Sequence, residues 1–119
     1  MTEPALLMER DGHIVTLTMN RPEVKNALNP EMLCRMADAY DMIDGDVDIR
    51  VAILTGADGA FCAGADLDKL VGRMTRGLPA EDEWEDRVRK DYSVIFKGLL
   101  RNYKLTKPLI AAIDRKSVV

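Results

Sequence analysis

The feature that most constrains the fold is an apolar run that ends in a cluster of small residues. Val51-Ala52-Ile53-Leu54-Thr55 leads directly into Gly56-Ala57-Asp58-Gly59-Ala60-Phe61-Cys62-Ala63-Gly64-Ala65-Asp66-Leu67. A continuous β-branched and aliphatic run of this kind reads as a buried, parallel strand. A short helix is expected to follow the loop, from near Asp66 to near Gly72.

The flanking segments supply the partners that such a strand needs. Residues 5–9 and 13–19 read as two strands joined by a tight turn at Asp11-Gly12, the second being β-branched and partly alternating. Residues 20–29 are dense in turn formers. Asn29-Pro30-Glu31 then reads as an N-cap, a proline at the first helical position and an acidic first turn. Met32, Leu33, Met36, Ala37, Tyr40 and Ile43 recur at helical spacing, which predicts an amphipathic helix over 30–44 with Gly45 as its stop.

Beyond the loop, residues 73–82 read as a polar, mobile connection. A single long helix is predicted over 82–103, with Trp84, Val88, Tyr92, Ile95, Phe96, Leu99 and Tyr103 on one face and its charges solvated. Lys107-Pro108 breaks that pattern, and residues 109–113 read as another buried strand. The resulting order, β-β-α-β-α-α-β, is that of an α/β fold.

Composition excludes several function classes. The chain has 119 residues, one domain's worth, with 47% hydrophobic and 31% charged residues, so it is globular rather than disordered. Its net charge of −3 argues against a general nucleic-acid binder. Its apolar runs are too short to span a bilayer, and Met1-Thr2-Glu3-Pro4 carries no secretory signal. A cytoplasmic protein with reduced thiols is expected. Cys34 and Cys62 lack metal-ligand spacing and the lone His13 sits in the turn, so no metal site is expected. Cys62 is read as a small packing residue rather than a nucleophile, because no distant histidine is available to activate it.

Three chemistries can use a glycine-rich loop between a strand and a helix. A phosphate loop of the Walker type needs Lys-Ser or Lys-Thr after its last glycine, where Ala65-Asp66 stands here. A dinucleotide fingerprint needs Gly-x-Gly-x-x-Gly, which Gly56, Gly59 and Gly64 do not provide. The third is an oxyanion hole. Ala63, Gly64 and Ala65 are small enough for a carbonyl to approach the backbone, where unpaired N–H groups would polarise it. Losing one such donor typically costs about 3 kcal/mol of transition-state stabilisation. On spacing alone, this loop is either such a hole or a plain turn. Asp66 is read as a helix cap rather than a general base, since a capping carboxylate is occupied by backbone donors.

Asn20-Arg21-Pro22 followed by Asn26-Ala27-Leu28 resembles the first signature of the enoyl-CoA hydratase/isomerase (crotonase) superfamily. The segment from Ala60 to Leu67 resembles its second, and Lys107-Pro108-Leu109-Ile110-Ala111-Ala112-Ile113 resembles the strand leading to its third. The resemblance implies a spiral of ββα units, incomplete here. It implies an acyl-CoA thioester substrate, with coenzyme A belonging to the substrate and no separate cofactor, and a homotrimer or hexamer for the full-length family. The expected chemistry is hydration of an α,β-unsaturated thioester through an enolate held in an oxyanion hole. Ala65 N–H would be the first donor, and Val24, Ala27, Ala63, Ala65, Asp66 and Leu67 would line the coenzyme A site. Arg21 and Lys25 are either phosphate contacts or solvated loop charges.

The chain departs from that pattern at its end. Residues 1–113 correspond to the N-terminal part of such a domain, while 114–119 have no counterpart, with Arg115 where the family commonly has glycine. The family's second N–H donor and its acid and base would lie further on. The chain is therefore expected to be a truncated fragment, poorly stable alone and inactive, with uncovered apolar faces on the strand at 109–113 and the helix at 83–103. The rival reading is a non-catalytic acyl-CoA-binding or oligomerisation module.

Overall fold

The computed structural model describes residues 3–113. Strand β1 (Leu6–Asp11) turns back through Gly12, at φ +61°, into β2 (Ile14–Met19), the two pairing antiparallel with Leu6 opposite Met19. A residue free of a Cβ adopts that φ at the least cost, which favours glycine at this turn.

Helix α1 (Pro30–Gly45) starts as the sequence predicts, with the Asn29 side chain accepting the Met32 N–H at 2.9 Å. It lies across the sheet and returns the chain to β3 (Val51–Gly56), which pairs parallel with β2 from Ile14↔Val51 to Met19↔Gly56. β1, β2 and α1 thus form one ββα unit. Alternation on β2 sends Val15, Leu17 and Met19 into the core, where they meet Met32, Leu33, Met36, Tyr40 and Ile43 of α1. Burying a large aliphatic side chain contributes about 1.5–3 kcal/mol, so this β2–α1 interface dominates the stability.

After β3 comes the glycine-rich loop, then a π-helical stretch, Asp68–Gly72, running into a short helical turn, α2 (Arg73–Thr75). The connection to α3 (Glu83–Lys90) is tied down rather than loose. Arg73 donates to the Pro79 carbonyl at 3.0 Å and to the buried Glu85 carboxylate at 2.9 Å, and Lys69 pairs with Glu81 at 2.9 Å.

The single long helix predicted over 82–103 does not form. It divides into α3 and α4 (Ser93–Gly98) at Asp91, whose backbone is extended (φ −147°, ψ 95°). The Asp91 carboxylate takes the Ser93 N–H at 3.0 Å and its hydroxyl at 2.6 Å, offering the backbone a partner that helix continuation would have to give up. The break lets Gly98 reach α1. A Cβ there would lie 2.8 Å from the Leu33 carbonyl, so only glycine allows this approach.

β4 (Leu109–Ala112) completes a sheet ordered β1-β2-β3-β4 and is parallel to β3. Lys107 anchors its start, donating to the carbonyls of Ile43, Asp46 and Ile49 at 2.7–2.8 Å. β4 is not the buried strand that its apolar run suggests, but it has the uncovered face expected at 109–113. It is an edge strand whose Ile110 is 54% exposed, with Ile113 just beyond it at 53%. The expected tail at 114–119 lies outside the described residues. Among the described residues, no helix is long and apolar enough to cross a membrane.

Candidate active site

All three parallel strands point their C-terminal ends toward the same rim of the sheet, and there the two motif-bearing loops meet. In open α/β sheets this rim is where ligands bind. His13 lies at the opposite end, its Nδ1 2.6 Å from the Asp48 carbonyl, and takes no part.

The loop at 20–29 is folded around Asn26. Two consecutive left-handed residues, Lys25 (φ 53°) and Asn26 (φ 59°), turn the chain back on itself. The Asn26 side chain is fully buried. Its Oδ1 accepts the Arg21 N–H at 2.7 Å, and its Nδ2 donates to the Ala60 carbonyl at 2.8 Å and the Ala57 carbonyl at 3.1 Å. The sequence marks Asn26 as one turn former among several and as part of the first signature, but gives it no structural role. The carbonyls that its amide nitrogen holds lie more than thirty positions away, and no local pattern points to them.

Further along, Leu28 forms a parallel bridge with Ala65. The Leu28 N–H donates to the Gly64 carbonyl at 2.8 Å, and the Asp66 N–H donates to the Leu28 carbonyl at 2.9 Å. A parallel bridge engages the amide groups on either side of the bridged residue, so the N–H of Ala65 itself turns away from Leu28. Among the described residues that N–H has no acceptor. Gly64 makes the turn possible with φ +102°, and Ala63, Gly64 and Ala65 are all exposed.

Asp66 is fully engaged. One carboxylate oxygen accepts the Lys69 N–H at 3.2 Å, as expected of a residue that closes a helix start, and the other lies 3.3 Å from both terminal nitrogens of Arg21. Arg21 also donates to the Ala27 carbonyl at 2.7 Å and is largely covered. It is therefore an internal strut joining the two loops, neither a free phosphate contact nor a solvated charge. Lys25 differs. It is exposed and lines a cleft of about 350 Å³ together with Pro22, Asp58, Phe61, Cys62 and Ala63.

The expected coenzyme A residues fall around this junction. Val24 and Leu67 are exposed, Leu67 at 70%. Ala27 precedes the Leu28 bridge, and Ala63 lines the same cleft as Lys25. A second, apolar pocket of about 190 Å³ opens beneath the loop, between Met19, Leu54, Phe61, Cys62, Leu99 and Leu109. Ala65 lines neither cavity.

The two thiols differ in setting. Cys34 is buried in α1, and desolvation pushes its pKa up to about 11, leaving an inert packing residue. Cys62 is half-exposed, and its sulfur lies 3.4 Å from the Gly64 N–H.

The family described as enoyl-CoA hydratase/isomerase matches residues 9–118 of the chain. Enoyl-CoA hydratase EchA19 of Mycobacterium tuberculosis is 43% identical over 115 residues, 97% of this chain and 41% of that protein. The 1,2-epoxyphenylacetyl-CoA isomerase of Escherichia coli is 38% identical over 109 residues, 92% of this chain and 39% of its own length. Among solved structures, an enoyl-CoA hydratase from Mycobacterium tuberculosis superposes with a TM-score of 0.69 at 38% identity, over 94% of this chain and 38% of that one. The chain thus spans about two-fifths of the length of these relatives.

Proposed function

This chain belongs to the enoyl-CoA hydratase/isomerase family, and from that premise we propose that it contributes the coenzyme A side of an acyl-CoA site and one of its two oxyanion donors. The donor is the Ala65 N–H. The observation that carries this reading is the Leu28–Ala65 bridge, which engages Gly64 and Asp66 and leaves the amide between them unclaimed. A thioester oxygen docked there would be polarised, and the negative charge of an enolate formed from it would be stabilised. Val24, Ala27, Ala63, Asp66 and Leu67 surround the coenzyme, and the exposed Lys25 ammonium, unlike the engaged Arg21 guanidinium, is available to meet a phosphate.

The reaction in a whole enzyme of this kind is syn addition of water across an α,β-unsaturated thioester, within a trimer or hexamer. A relative that is an isomerase keeps double-bond or ring isomerisation open to the same oxyanion site. Asp66 serves no proton transfer, because Arg21 and the Lys69 N–H occupy its carboxylate. The 119-residue chain by itself binds without turnover, since one of two oxyanion donors does not make a hydratase.

The test is an amide NMR titration of the isotope-labelled chain with butyryl-CoA and with S-butyl-CoA, a thioether lacking the carbonyl. The Ala65 amide proton moves downfield only with the thioester. Identical shifts at Ala65 for both ligands would refute its role as donor. Turnover of crotonyl-CoA by the 119-residue chain at rates ordinary for a hydratase would refute the rest.

A further inference from the structure

We propose that Asn26, assisted by Arg21, is the positioning residue for the Ala65 amide, a claim that rests on the oxyanion reading above. The glycine-rich loop is gripped at both ends by the same short segment. At its start, the Asn26 amide group holds the carbonyls of Ala57 and Ala60. At its end, Arg21 holds the Asp66 carboxylate, and Leu28 holds Gly64 and Asp66 through the backbone. The two grips are themselves coupled. The Arg21 N–H donates to Asn26 Oδ1, the Asn26 N–H donates to the Arg21 carbonyl, and the Arg21 guanidinium donates to the Ala27 carbonyl between them.

Between the grips, residues 61–64 contain no regular structure, and Gly64 has no neighbour within 4 Å of where a Cβ would stand. Packing alone does not orient the Ala65 amide. Its direction is set by where the two ends of the loop are fixed, and both are fixed to residues 21–28. Because Asn26 is completely buried and satisfied at both ends of its side-chain amide, it permits one arrangement of those anchor points. An aspartate would keep the bond from the Arg21 N–H but would turn a carboxylate oxygen toward two carbonyls. That repulsion loosens the start of the loop without emptying the core.

The experiment measures, by calorimetry on the 119-residue chain, the affinity ratio of butyryl-CoA to S-butyl-CoA. The carbonyl is the only group that distinguishes the two ligands. In the parent chain the ratio is about fivefold, the worth of one net hydrogen bond. In Asn26→Asp it falls to about one, and in Arg21→Lys it falls part of the way, since lysine keeps the charge opposite Asp66 but cannot also reach Ala27. Circular dichroism checks that each variant is folded. Should Asn26→Asp fail to fold, Arg21→Lys decides. A parental ratio in the folded variants would overturn the positioning role while leaving Ala65 as donor. A ratio of one in the parent chain would overturn the donor reading and this proposal with it.

Discussion

Gly56 and Gly64 are both glycines of the same loop, yet they are required for opposite reasons. Gly56 has an ordinary extended backbone, but a Cβ on it would lie 2.0 Å from the Ala60 carbonyl oxygen and 2.5 Å from that of Phe61. Both obstacles are backbone and cannot rotate aside. At Gly64 there is open space, but φ is +102°. Gly56→Ala is therefore expected to cost about 3 kcal/mol or more, as overpacking against fixed atoms does. Gly64→Ala is expected to cost about 1–2 kcal/mol, as backbone strain in an unfavoured region does. Urea unfolding of both variants checks the order, and a larger loss at Gly64 would contradict the crowding argument. The sequence marks both positions as glycine without distinguishing them, because crowding depends on where residues 60 and 61 return in space. The same holds for Asn26, whose partners are set by the tertiary fold.

Among the elements, the junction of α1 with β4 carries a pH-dependent contact. Desolvation acts to raise the Asp44 carboxyl, but hydrogen bonds from the Thr106 hydroxyl, the Tyr103 hydroxyl and the Thr106 N–H, with Lys107 nearby, hold it below the ordinary value of 3.8. The Asp44 hydrogen bond, followed by desolvation, pushes the Tyr103 hydroxyl up to about 12 from 10.0. A depressed carboxyl contributes stability above its unfolded pKa, and that contribution is lost as pH falls through the folded value. A raised phenol contributes below its unfolded pKa, and that contribution is lost as pH rises toward 12. Asp44→Asn is thus expected to lower stability most between about pH 5 and pH 10, with the gap to the parent closing on either side. Melting temperatures of both proteins across pH 2–12 test this, and a gap that stays constant with pH would count against it. The start of α1 and its hydrophobic face are legible in the sequence because cap, proline and periodicity are local and agree. The split between α3 and α4 is not, because the apolar spacing continues through Asp91 while its side chain diverts the backbone.

For the molecule as a whole, one side of the sheet–helix layer is well covered and the rim around β4 is not. Tyr92, Phe96, Leu99, Ile110 and Ile113 are each between 42% and 54% exposed. They belong to the strand at 109–113 and the helical stretch at 83–103, faces that the sequence reading marks as apolar and expects to be uncovered. Exposed apolar surface promotes association. The purified 119-residue chain is expected to shift to larger species with rising concentration in sedimentation velocity, and Ile110→Lys with Leu99→Lys is expected to shift it back. Concentration-independent sedimentation as a monomer would argue that these side chains are harmless where they lie.

The Leu28–Ala65 bridge has a consequence for how such a chain can vary. Whether an amide in extended backbone faces inward or outward is a matter of parity, odd or even along the strand. The leftover N–H at position 65 therefore owes nothing to the methyl group that alanine carries. Many side chains would serve there equally well, whereas adding or deleting one residue between Leu28's two partners would break the spacing that leaves a single outward-facing amide. Drift among descendants should accordingly be permissive about which amino acid stands at 65 and strict about the count.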